Sequence, residues 1–238
     1  MEDTFTISLL NVRSLHKHAI DVAYDRHILI SDVICFTETQ VKESGTVDDI
    51  DNLMANINHI DSNGGKFNMV YNNSEDQYSS LAFAYRDGDV VLHHTHISNG
   101  LMILKISKPS MTSTNGECFH TTLAILYRKN KSQVAQFWNF LADIVRLYDI
   151  DFLVGDFNVN YFEASISDKV KEVLPSYSLV PVNQLDLLSC TGGTHIDGGM
   201  LDLMLMKNTC SVLIDNFQVK CLYFSDHDLV KAEFKFPA

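Results

Sequence analysis

The sequence is poor in the residues that mark several large classes of protein. It has only 4 prolines in 238 residues, and no Pro-, Ser- or Gly-rich stretch divides it. A hydrophobic content of 46% suffices for a large core, so we predict a single domain over residues 1–238. No apolar run reaches the roughly 18 residues needed to span a membrane. The N-terminus, Met1-Glu2-Asp3, lacks the basic and apolar regions of a signal peptide.

The cysteines lack the spacing of a zinc site or a disulfide framework. They are odd in number and scattered, and none forms a Cys-x-x-Cys pair. Such thiols are typical of a reduced, intracellular protein. The five are Cys35, Cys118, Cys190, Cys210 and Cys221.

Basic residues are also scarce. Lys and Arg number 18 against 30 Asp and Glu, which gives a net charge of −12. Surfaces that bind nucleic acids usually carry excess positive charge, because phosphate neutralisation dominates their affinity. The balance by itself favours a small-molecule or protein partner. A nucleic-acid partner requires that the basic residues gather on one face, or that other parts of a larger protein supply the affinity.

The sequence does contain short buried strands that end in polar side chains. The central one lies within residues 151–158, where an apolar run and a glycine are followed by Asp156 and Asn158. In an extended chain these two side chains project to the same side. A carboxylate and an amide are costly to bury without polar partners. This stretch therefore predicts a hydrolytic site, in which one group accepts a proton and the other holds an oxygen.

The N-terminal segment predicts a β-α-β unit. A first strand ends at Asn11, a helix capped by Ser14 runs to about Ile30, and a second buried strand ends just before Glu38. A helical crossover implies that the two strands are parallel, so their carboxyl ends lie at the same edge of the sheet.

The rest of the chain continues this pattern. Residues 67–127 have the short runs of an antiparallel meander and close at Tyr127. Asp202 falls inside a predicted strand, and Ser225-Asp226-His227 precedes the last one. Helices are predicted over residues 132–148 and 170–174, and strands over 200–205, 210–219 and 229–236. Two sheets with helices outside are the natural closure.

Each polar strand end has an ordinary structural explanation when taken alone. Glu38 suits a helix N-terminus, His227 suits a surface turn, and Tyr127 suits a core residue with a satisfied hydroxyl. Together they are coherent as a metal-assisted site for phosphodiester hydrolysis. Glu38 and Asp226 offer the oxygen ligands that Mg²⁺ prefers.

The other groups suit the chemistry of the attacking water and of the phosphate. Asp156 could orient or deprotonate the water, with Asn158 holding it. His227, fixed by Asp202 through its other ring nitrogen, could donate to the phosphate as charge develops. The Tyr127 hydroxyl could supply a second donor.

In their order along nearly the whole chain, these motifs resemble those of the endonuclease/exonuclease/phosphatase superfamily. They are Asn11, Phe36-Thr37-Glu38-Thr39, Tyr127, Gly155-Asp156-Phe157-Asn158, Leu201-Asp202 and Ser225-Asp226-His227. Segments 11–15, 35–39 and 198–203 are most similar to the abasic-endonuclease-like domains of LINE-type retrotransposons. Related domains occur in Helitron transposons.

The resemblance implies a deoxyribonuclease I-like fold, a four-layer α/β sandwich of two mixed β-sheets flanked by helices. It implies Mg²⁺ or Mn²⁺ as cofactor and nicking of one DNA strand to leave a 3′-hydroxyl that can prime reverse transcription. The domain would then be part of a larger mobile-element polyprotein, fused to a reverse transcriptase or helicase. We expect it to be monomeric in isolation, nuclear and without a membrane partner.

The resemblance also assigns roles to individual residues. Glu38 is the metal ligand with Asp226 assisting, and Asn11 supports the site. The remaining catalytic set is Asp156 and Asn158 at the nucleophile, the Asp202–His227 dyad, and Tyr127 on the phosphate.

A DNA-binding set completes the prediction. Thr194 matches a position that contacts the DNA strand, and Ser225 is assigned to the same surface. Arg13 and Arg128 flank site segments and are expected to contact phosphates. The segment from Thr194 to Asp202 is short where sequence-selective relatives carry a longer hairpin, so we expect loose, shape-led specificity.

Two other functions stay open from the sequence. A phosphoinositide or sphingolipid phosphoesterase of the same fold would suit the acidic charge. However, Asp228-Leu229-Val230 follows the Ser-Asp-His motif, where inositol phosphatases usually have a basic residue and proline. A catalytically silent DNA-binding module is the second alternative, although no catalytic position is missing.

Overall fold

The chain forms two mixed β-sheets with helices on their outer faces. The computed structural model describes residues 3–41, 54–55, 66–72, 80–98, 100–110, 116–129, 134–163, 178–182 and 193–236. Its helices are α1 (Leu15–Tyr24), α2 (Arg26–Leu29) and α3 (Val134–Tyr148). No helix within these ranges is long and apolar enough to cross a membrane.

Within the part of the chain that the structure describes, each sheet has six strands. The first sheet has the order β11-β12-β1-β2-β4-β3 and the second the order β5-β6-β7-β8-β10-β9. The strands are β1 (Thr4–Asn11), β2 (Val33–Thr37), β3 (Phe67–Tyr71), β4 (Leu81–Arg86), β5 (Val91–Ser98), β6 (Leu101–Pro109), β7 (Cys118–Tyr127), β8 (Phe152–Asp156), β9 (Leu179–Pro181), β10 (Asp202–Lys207), β11 (Leu213–Lys220) and β12 (Leu229–Lys235).

One parallel pair in each sheet makes the sheets mixed. Strands β1 and β2 are parallel and are joined through α1 and α2, as the β-α-β pattern predicts. Strands β7 and β8 are parallel and are joined through α3. The other pairs are antiparallel. Because helical crossovers bring parallel strands back to the same edge, each sheet collects two carboxyl ends side by side.

Three apolar clusters separate four layers. The largest lies between the sheets, with members such as Phe5 and Leu9 of β1 and Val154 of β8. A second packs α1 and α2 on the outer face of the first sheet, and a third packs α3 on the outer face of the second. Both faces of the central strands are therefore covered, which explains why β8 is a continuous apolar run without alternation. The predicted four-layer sandwich is confirmed.

The helix predicted from Ser14 to Ile30 is broken into two. Ser14 is the N-cap of α1, and its hydroxyl accepts a hydrogen bond from the N–H of Lys17 at 3.4 Å. Asp25 has an extended backbone (ψ 102°), and its carboxylate accepts from the N–H of His27 at 2.8 Å. A short polar side chain that bonds to the following backbone competes with the helix, so α1 ends at Tyr24 and Asp25 becomes the N-cap of α2.

Several predicted boundaries differ from the observed ones. The strand predicted over residues 200–205 begins at Asp202, and the strand predicted over 210–219 begins at Leu213. β9 has three residues and no pattern that predicted it. The helix predicted over residues 170–174 lies outside the described residues.

Gly155 determines how closely β8 approaches β7. A Cβ atom at this position would lie 1.8 Å from the carbonyl oxygen of Leu126, its partner in the ladder. No side chain fits there, so glycine permits the approach. The same register sets Tyr127 opposite Asp156, which brings a phenol and a carboxylate together at the strand ends.

Candidate active site

Polar strand ends from both sheets converge at one edge of the sandwich. In the second sheet, Tyr127, Asp156 and Asp202 form a row across β7, β8 and β10, because Asp156 is paired with both of the others. In the first sheet, Asn11 ends β1, and Glu38 directly follows β2. All five residues are buried. The residues that the sequence predicts as a site are therefore brought together.

Asn11 links the two sheets. Its Nδ2 donates to Glu38 Oε1 at 2.9 Å and to Asp156 Oδ2 at 2.8 Å. Its Oδ1 accepts from the backbone N–H of Arg13 at 3.2 Å. An amide nitrogen has two hydrogens, and both are used here, so the orientation of the side chain is determined by its partners. Asn11 thus holds two carboxylates at a common position.

Asp156 and Asn158 meet through a turn, and the expectation that extended chain aligns them was wrong. β8 ends at Asp156, and Asn158 has a left-handed backbone (φ 47°). The N–H of Asn158 donates to Asp156 Oδ1 at 2.8 Å, and its Nδ2 lies 3.4 Å from Asp156 Oδ2. Asn is one of the few residues that tolerate this conformation, because its side chain bonds locally. The amide also donates to the carbonyl of Arg128 at 2.7 Å.

Asp202 and His227 form a buried pair. His227 Nδ1 lies 2.8 Å from Asp202 Oδ2, and the two residues are 4% and 0% exposed. An aspartate on Nδ1 keeps the proton on that nitrogen, which leaves Nε2 to act on a substrate. Burial lowers the pKa of His227, but the hydrogen bond and charge of Asp202, with Asp156 and Asp226 nearby, outweigh it and raise the pKa to about 9.

Burial also shifts the other two groups of the row. Desolvation and the charge of Asp202 raise the pKa of Asp156 well above its ordinary value, although His227 and the hydrogen bonds of Asn158 and Asn11 oppose this. Burial and the charges of Glu38 and Asp156 raise the pKa of Tyr127, so its hydroxyl keeps its proton. A carboxylate with a raised pKa is a better proton acceptor, and a protonated phenol is a donor.

Thr194 supports Asp202 and does not reach the surface. It is fully buried, and its Oγ1 accepts from the backbone N–H groups of Leu201 at 3.0 Å and of Asp202 at 2.9 Å. The prediction that its side chain contacts DNA is therefore not met. The two hydrogen bonds also explain why β10 begins at Asp202, since they engage the N–H groups at its start.

Ser225 holds the segment of His227 against β1. Its hydroxyl donates to the carbonyl of Asn11 at 2.8 Å and accepts from the N–H of His227 at 3.1 Å. The side chain is partly exposed, so a contact with DNA stays a prediction.

The two arginines predicted as phosphate contacts have opposite environments. Arg128 is 4% exposed, and its guanidinium donates to the carbonyls of Phe157 (3.3 Å) and Asn158 (2.8 Å) and stacks on Phe137. It supports the loop of Asn158 from inside, which corrects its assignment to a DNA surface. The side chain of Arg13 is 54% exposed at the edge of the site.

His195 is a site residue that the sequence reading missed. Its ring packs edge-on against that of His227 at a centroid distance of 4.8 Å, and the two residues form a β-bridge. Its Nε2 lies 3.5 Å from Asp226 Oδ2, while its Nδ1 accepts from the N–H of Asp197 at 3.1 Å. The 3.5 Å separation places the ring beside Asp226 without a hydrogen bond between the two side chains. The only sequence signal was its position next to Thr194.

Three site residues have a left-handed backbone. Arg13, Glu38 and Asn158 have φ values of 49°, 49° and 47°. Such conformations cost about 1 to 3 kcal/mol each in non-glycine residues and gather at functional sites. Their presence at the ends of β1, β2 and β8 directs side chains into the same small space.

The oxygen atoms at this edge fit a hard divalent cation. Glu38 and Asp226 both present carboxylate oxygens, and both contact the guanidinium of Arg13 (Glu38 at 3.9 Å, Asp226 at 2.5 Å). Asp226 Oδ1 is buried and has no hydrogen-bond partner among the described residues. A buried, unpaired carboxylate oxygen is costly, and a cation would satisfy it. Oxygen ligands are those that Mg²⁺ and Mn²⁺ prefer.

Solved structures share this architecture. The endonuclease domain of TRAS1, a telomere-specific non-LTR retrotransposon, superposes with a TM-score of 0.65 at 14% identity, covering 98% of each chain. An AP endonuclease from Archaeoglobus fulgidus has a TM-score of 0.69 at 14% identity, covering 96% of this chain and 98% of its own. The 3′-5′ exonuclease NExo from Neisseria meningitidis has a TM-score of 0.65 at 15% identity, covering 98% of this chain and 100% of its own.

This chain has the fold of the endonuclease/exonuclease/phosphatase proteins. The sequence itself matches no protein-family model and no curated protein. At these low sequence identities, the similarity to the solved structures establishes the fold alone. Proteins with this fold include nucleases and phosphatases.

Proposed function

We propose that this chain is a metal-dependent endonuclease that hydrolyses one strand of DNA and leaves a 3′-hydroxyl. The observation that carries the proposal is the convergence of a metal-binding edge (Glu38) and a nucleophile site (Asp156) through the single side chain of Asn11. The imidazole of His227 faces the same space, because its ligand atom lies within 4.8 Å of those of Asp156 and Asp202.

The residues around Asp156 would prepare the attacking water. Asp156, in its ionised form, accepts a proton from the water. Asn158, held by its bonds to Asp156 and to the carbonyl of Arg128, orients the same water. The water oxygen attacks phosphorus, the bond between phosphorus and the 3′-oxygen breaks, and the leaving 3′-oxygen takes a proton from solvent. A 5′-phosphate and a 3′-hydroxyl remain.

His227 and Tyr127 would act on the phosphate. His227 is protonated at neutral pH and donates from Nε2 to a non-bridging oxygen as negative charge develops. Asp202 keeps the ring in this orientation through Nδ1. The Tyr127 hydroxyl, which the raised pKa keeps protonated, supplies a second donor.

Glu38 and Asp226 would hold Mg²⁺ or Mn²⁺. When bound, the ion neutralises charge on the phosphate and on the leaving oxygen. Asn11 keeps Glu38 in place, and His195 lies beside Asp226.

The biological setting we propose is a mobile genetic element. A free 3′-hydroxyl is the end that a reverse transcriptase extends, and one of the neighbours of this fold is the endonuclease domain of a non-LTR retrotransposon. The domain would act on chromosomal DNA in the nucleus, joined to a reverse transcriptase or helicase. Such domains would also supply the positive charge that this acidic chain lacks.

A plasmid-nicking assay with Mg²⁺ or Mn²⁺ tests the proposal. Wild-type protein converts supercoiled DNA to the open circle, and a polymerase extends the nicked strand. Asp156→Ala and His227→Ala reduce the rate at least about 100-fold, as loss of such groups does in other hydrolases. Asp143→Ala on α3 and His96→Ala on the edge strand β5 are controls far from the site that keep the wild-type rate.

Three outcomes contradict the proposal. If supercoiled DNA stays intact with either metal, the protein is not a DNA endonuclease. If the protein releases phosphate from inositol phosphates and does not nick DNA, it is a phosphoesterase of the same fold. DNA binding without any hydrolysis identifies a silent binding module.

A further inference from the structure

Arg13 stands between the two carboxylates that we assign to the metal. Its Nη1 contacts Asp226 Oδ2 at 2.5 Å, and its Nε lies 3.9 Å from Glu38 Oε2. A guanidinium presents several N–H donors in one plane, so it can serve two carboxylates at once. Arg13 therefore supplies positive charge at the place where a divalent cation would lie.

The backbone of Arg13 is arranged for this contact. The residue follows the end of β1 with φ 49°, and its N–H is held by Asn11 Oδ1 at 3.2 Å. Asn11 is the same residue that holds Glu38. The direction of the Arg13 side chain is therefore coupled to the arrangement of the metal ligands.

The side chain can leave this position. It is 54% exposed, whereas the side chains of Glu38 and Asp226 are 9% and 23% exposed. Ion pairs of an exposed partner contribute little free energy, so a divalent ion can replace the arginine on two fixed carboxylates. Arg128, the other arginine near the site, has its guanidinium on two backbone carbonyls and cannot take over this role.

We propose that Arg13 is a competing cation of the active site: it neutralises Glu38 and Asp226 in the metal-free protein, and metal binding releases it toward the phosphate backbone of DNA. The proposal rests on the proposed function in taking these two carboxylates as the metal ligands. It has two consequences. Arg13 lowers the affinity of the protein for the metal. In addition, the charge of Arg13 contributes to DNA affinity only when the metal is bound.

The first test measures Mn²⁺ binding without DNA, by the electron paramagnetic resonance signal of the free ion. Arg13→Gln keeps a long polar side chain and removes the charge. We expect R13Q to bind Mn²⁺ roughly 3- to 10-fold more tightly than wild type. Lys17→Gln removes a charge from α1, where the side chain makes no ion pair with the described residues, and leaves the affinity within about twofold.

The second test measures the coupling between metal and DNA. In a His227→Ala background, which prevents cleavage, the affinity for a short duplex is compared with and without saturating Mn²⁺. The gain caused by Mn²⁺ is roughly 3- to 10-fold larger with the native arginine than with R13Q, because only the native side chain is released.

An unchanged or weaker Mn²⁺ affinity in R13Q overturns the proposal, as does a gain in DNA affinity that is equal in the two proteins. A Mn²⁺ affinity raised equally by K17Q also overturns it, because general charge removal would then explain the effect. If the Mn²⁺ shift is present and nicking is absent from wild type, Arg13 still competes for the cation, and the proposed endonuclease activity alone fails.

Discussion

Asn11 in the first sheet donates a hydrogen bond of 2.8 Å to Asp156 in the second. The same nitrogen donates to Glu38 at 2.9 Å, so one amide separates two carboxylates. The contact joins residues 145 positions apart and closes the sandwich at the edge that carries the candidate site. The stability of the edge and the chemistry of the site therefore depend on the same side chain.

Asn11→Asp tests this dependence. The substitution brings a third carboxylate against Asp156 and Glu38, and we expect a loss of about 3 to 5 kcal/mol in the free energy of unfolding at pH 7. Part of the loss is recovered at pH 5 as a carboxyl group takes a proton. Asn11→Leu also destabilises the protein, but without recovery at pH 5. Urea denaturation at both pH values separates the two, and equal behaviour of both variants contradicts the role of charge.

Thr194→Val tests whether Thr194 supports Asp202 from inside. The variant keeps the shape of the side chain and removes the oxygen that accepts from Leu201 and Asp202. We expect a loss of about 1 to 3 kcal/mol in unfolding free energy and a slower nicking rate, because two N–H groups lose their acceptor. Thr194→Ser retains both. A change of DNA affinity with full stability would instead indicate a direct DNA contact.

Arg128→Lys tests the internal role of the second arginine. Lysine cannot reproduce the planar fork that serves the carbonyls of Phe157 and Asn158, so stability falls by about 1 to 3 kcal/mol. The salt dependence of DNA binding stays unchanged, because no phosphate contact is lost. Arg13→Gln, measured in the presence of Mn²⁺, instead reduces the salt slope by about one. A reduced salt slope in R128K would instead indicate that Arg128 contacts DNA phosphates.

The raised pKa of His227 predicts how the free energy of unfolding changes with pH. Its pKa is raised from 6.5 to about 9 in the folded protein, so its contribution to stability is fully present below pH 6.5 and is lost as the pH rises through 9. The buried Asp156, whose pKa is also raised, changes stability in the same direction at lower pH. We compare the free energy of unfolding of wild type with that of His227→Asn at each pH. The difference between the two proteins falls by at most about 3 kcal/mol from pH 6 to 9.5. If this difference in unfolding free energy increases with pH, the prediction is contradicted.

Gly155→Ala tests the spacing of β7 and β8. The added Cβ would lie 1.8 Å from the backbone oxygen of Leu126, which belongs to a strand and cannot move aside. We expect a loss of at least about 3 kcal/mol, or failure to fold. Gly199→Ala is the matched control, because its nearest neighbour would be the side chain of Leu201 at 3.5 Å, an ordinary contact. Chemical denaturation of the two variants compares them directly.

Local pattern was sufficient for the architecture and for the position of the site. Continuous apolar runs such as β8 require that both faces of a sheet be covered, and a helical crossover requires parallel neighbours with their ends at one edge. The polar ends of each sheet therefore lie side by side, Asn11 with Glu38 and Tyr127 with Asp156. The family resemblance implied that these two pairs meet, and the stacking of the sheets brings them together.

The direction and the partners of the side chains depended on packing between distant segments. Thr194 and Arg128 turn inward because backbone groups of Asp202 and Asn158 offer them hydrogen bonds that solvent would otherwise supply. Asn158 meets Asp156 through a left-handed turn that no periodicity reveals. Arg13 reaches Asp226, 213 positions away, once two sheets have stacked and closed the edge between them. Periodicity along a chain reports which face of an element is buried, whereas the partner of a polar group is chosen by contacts between elements.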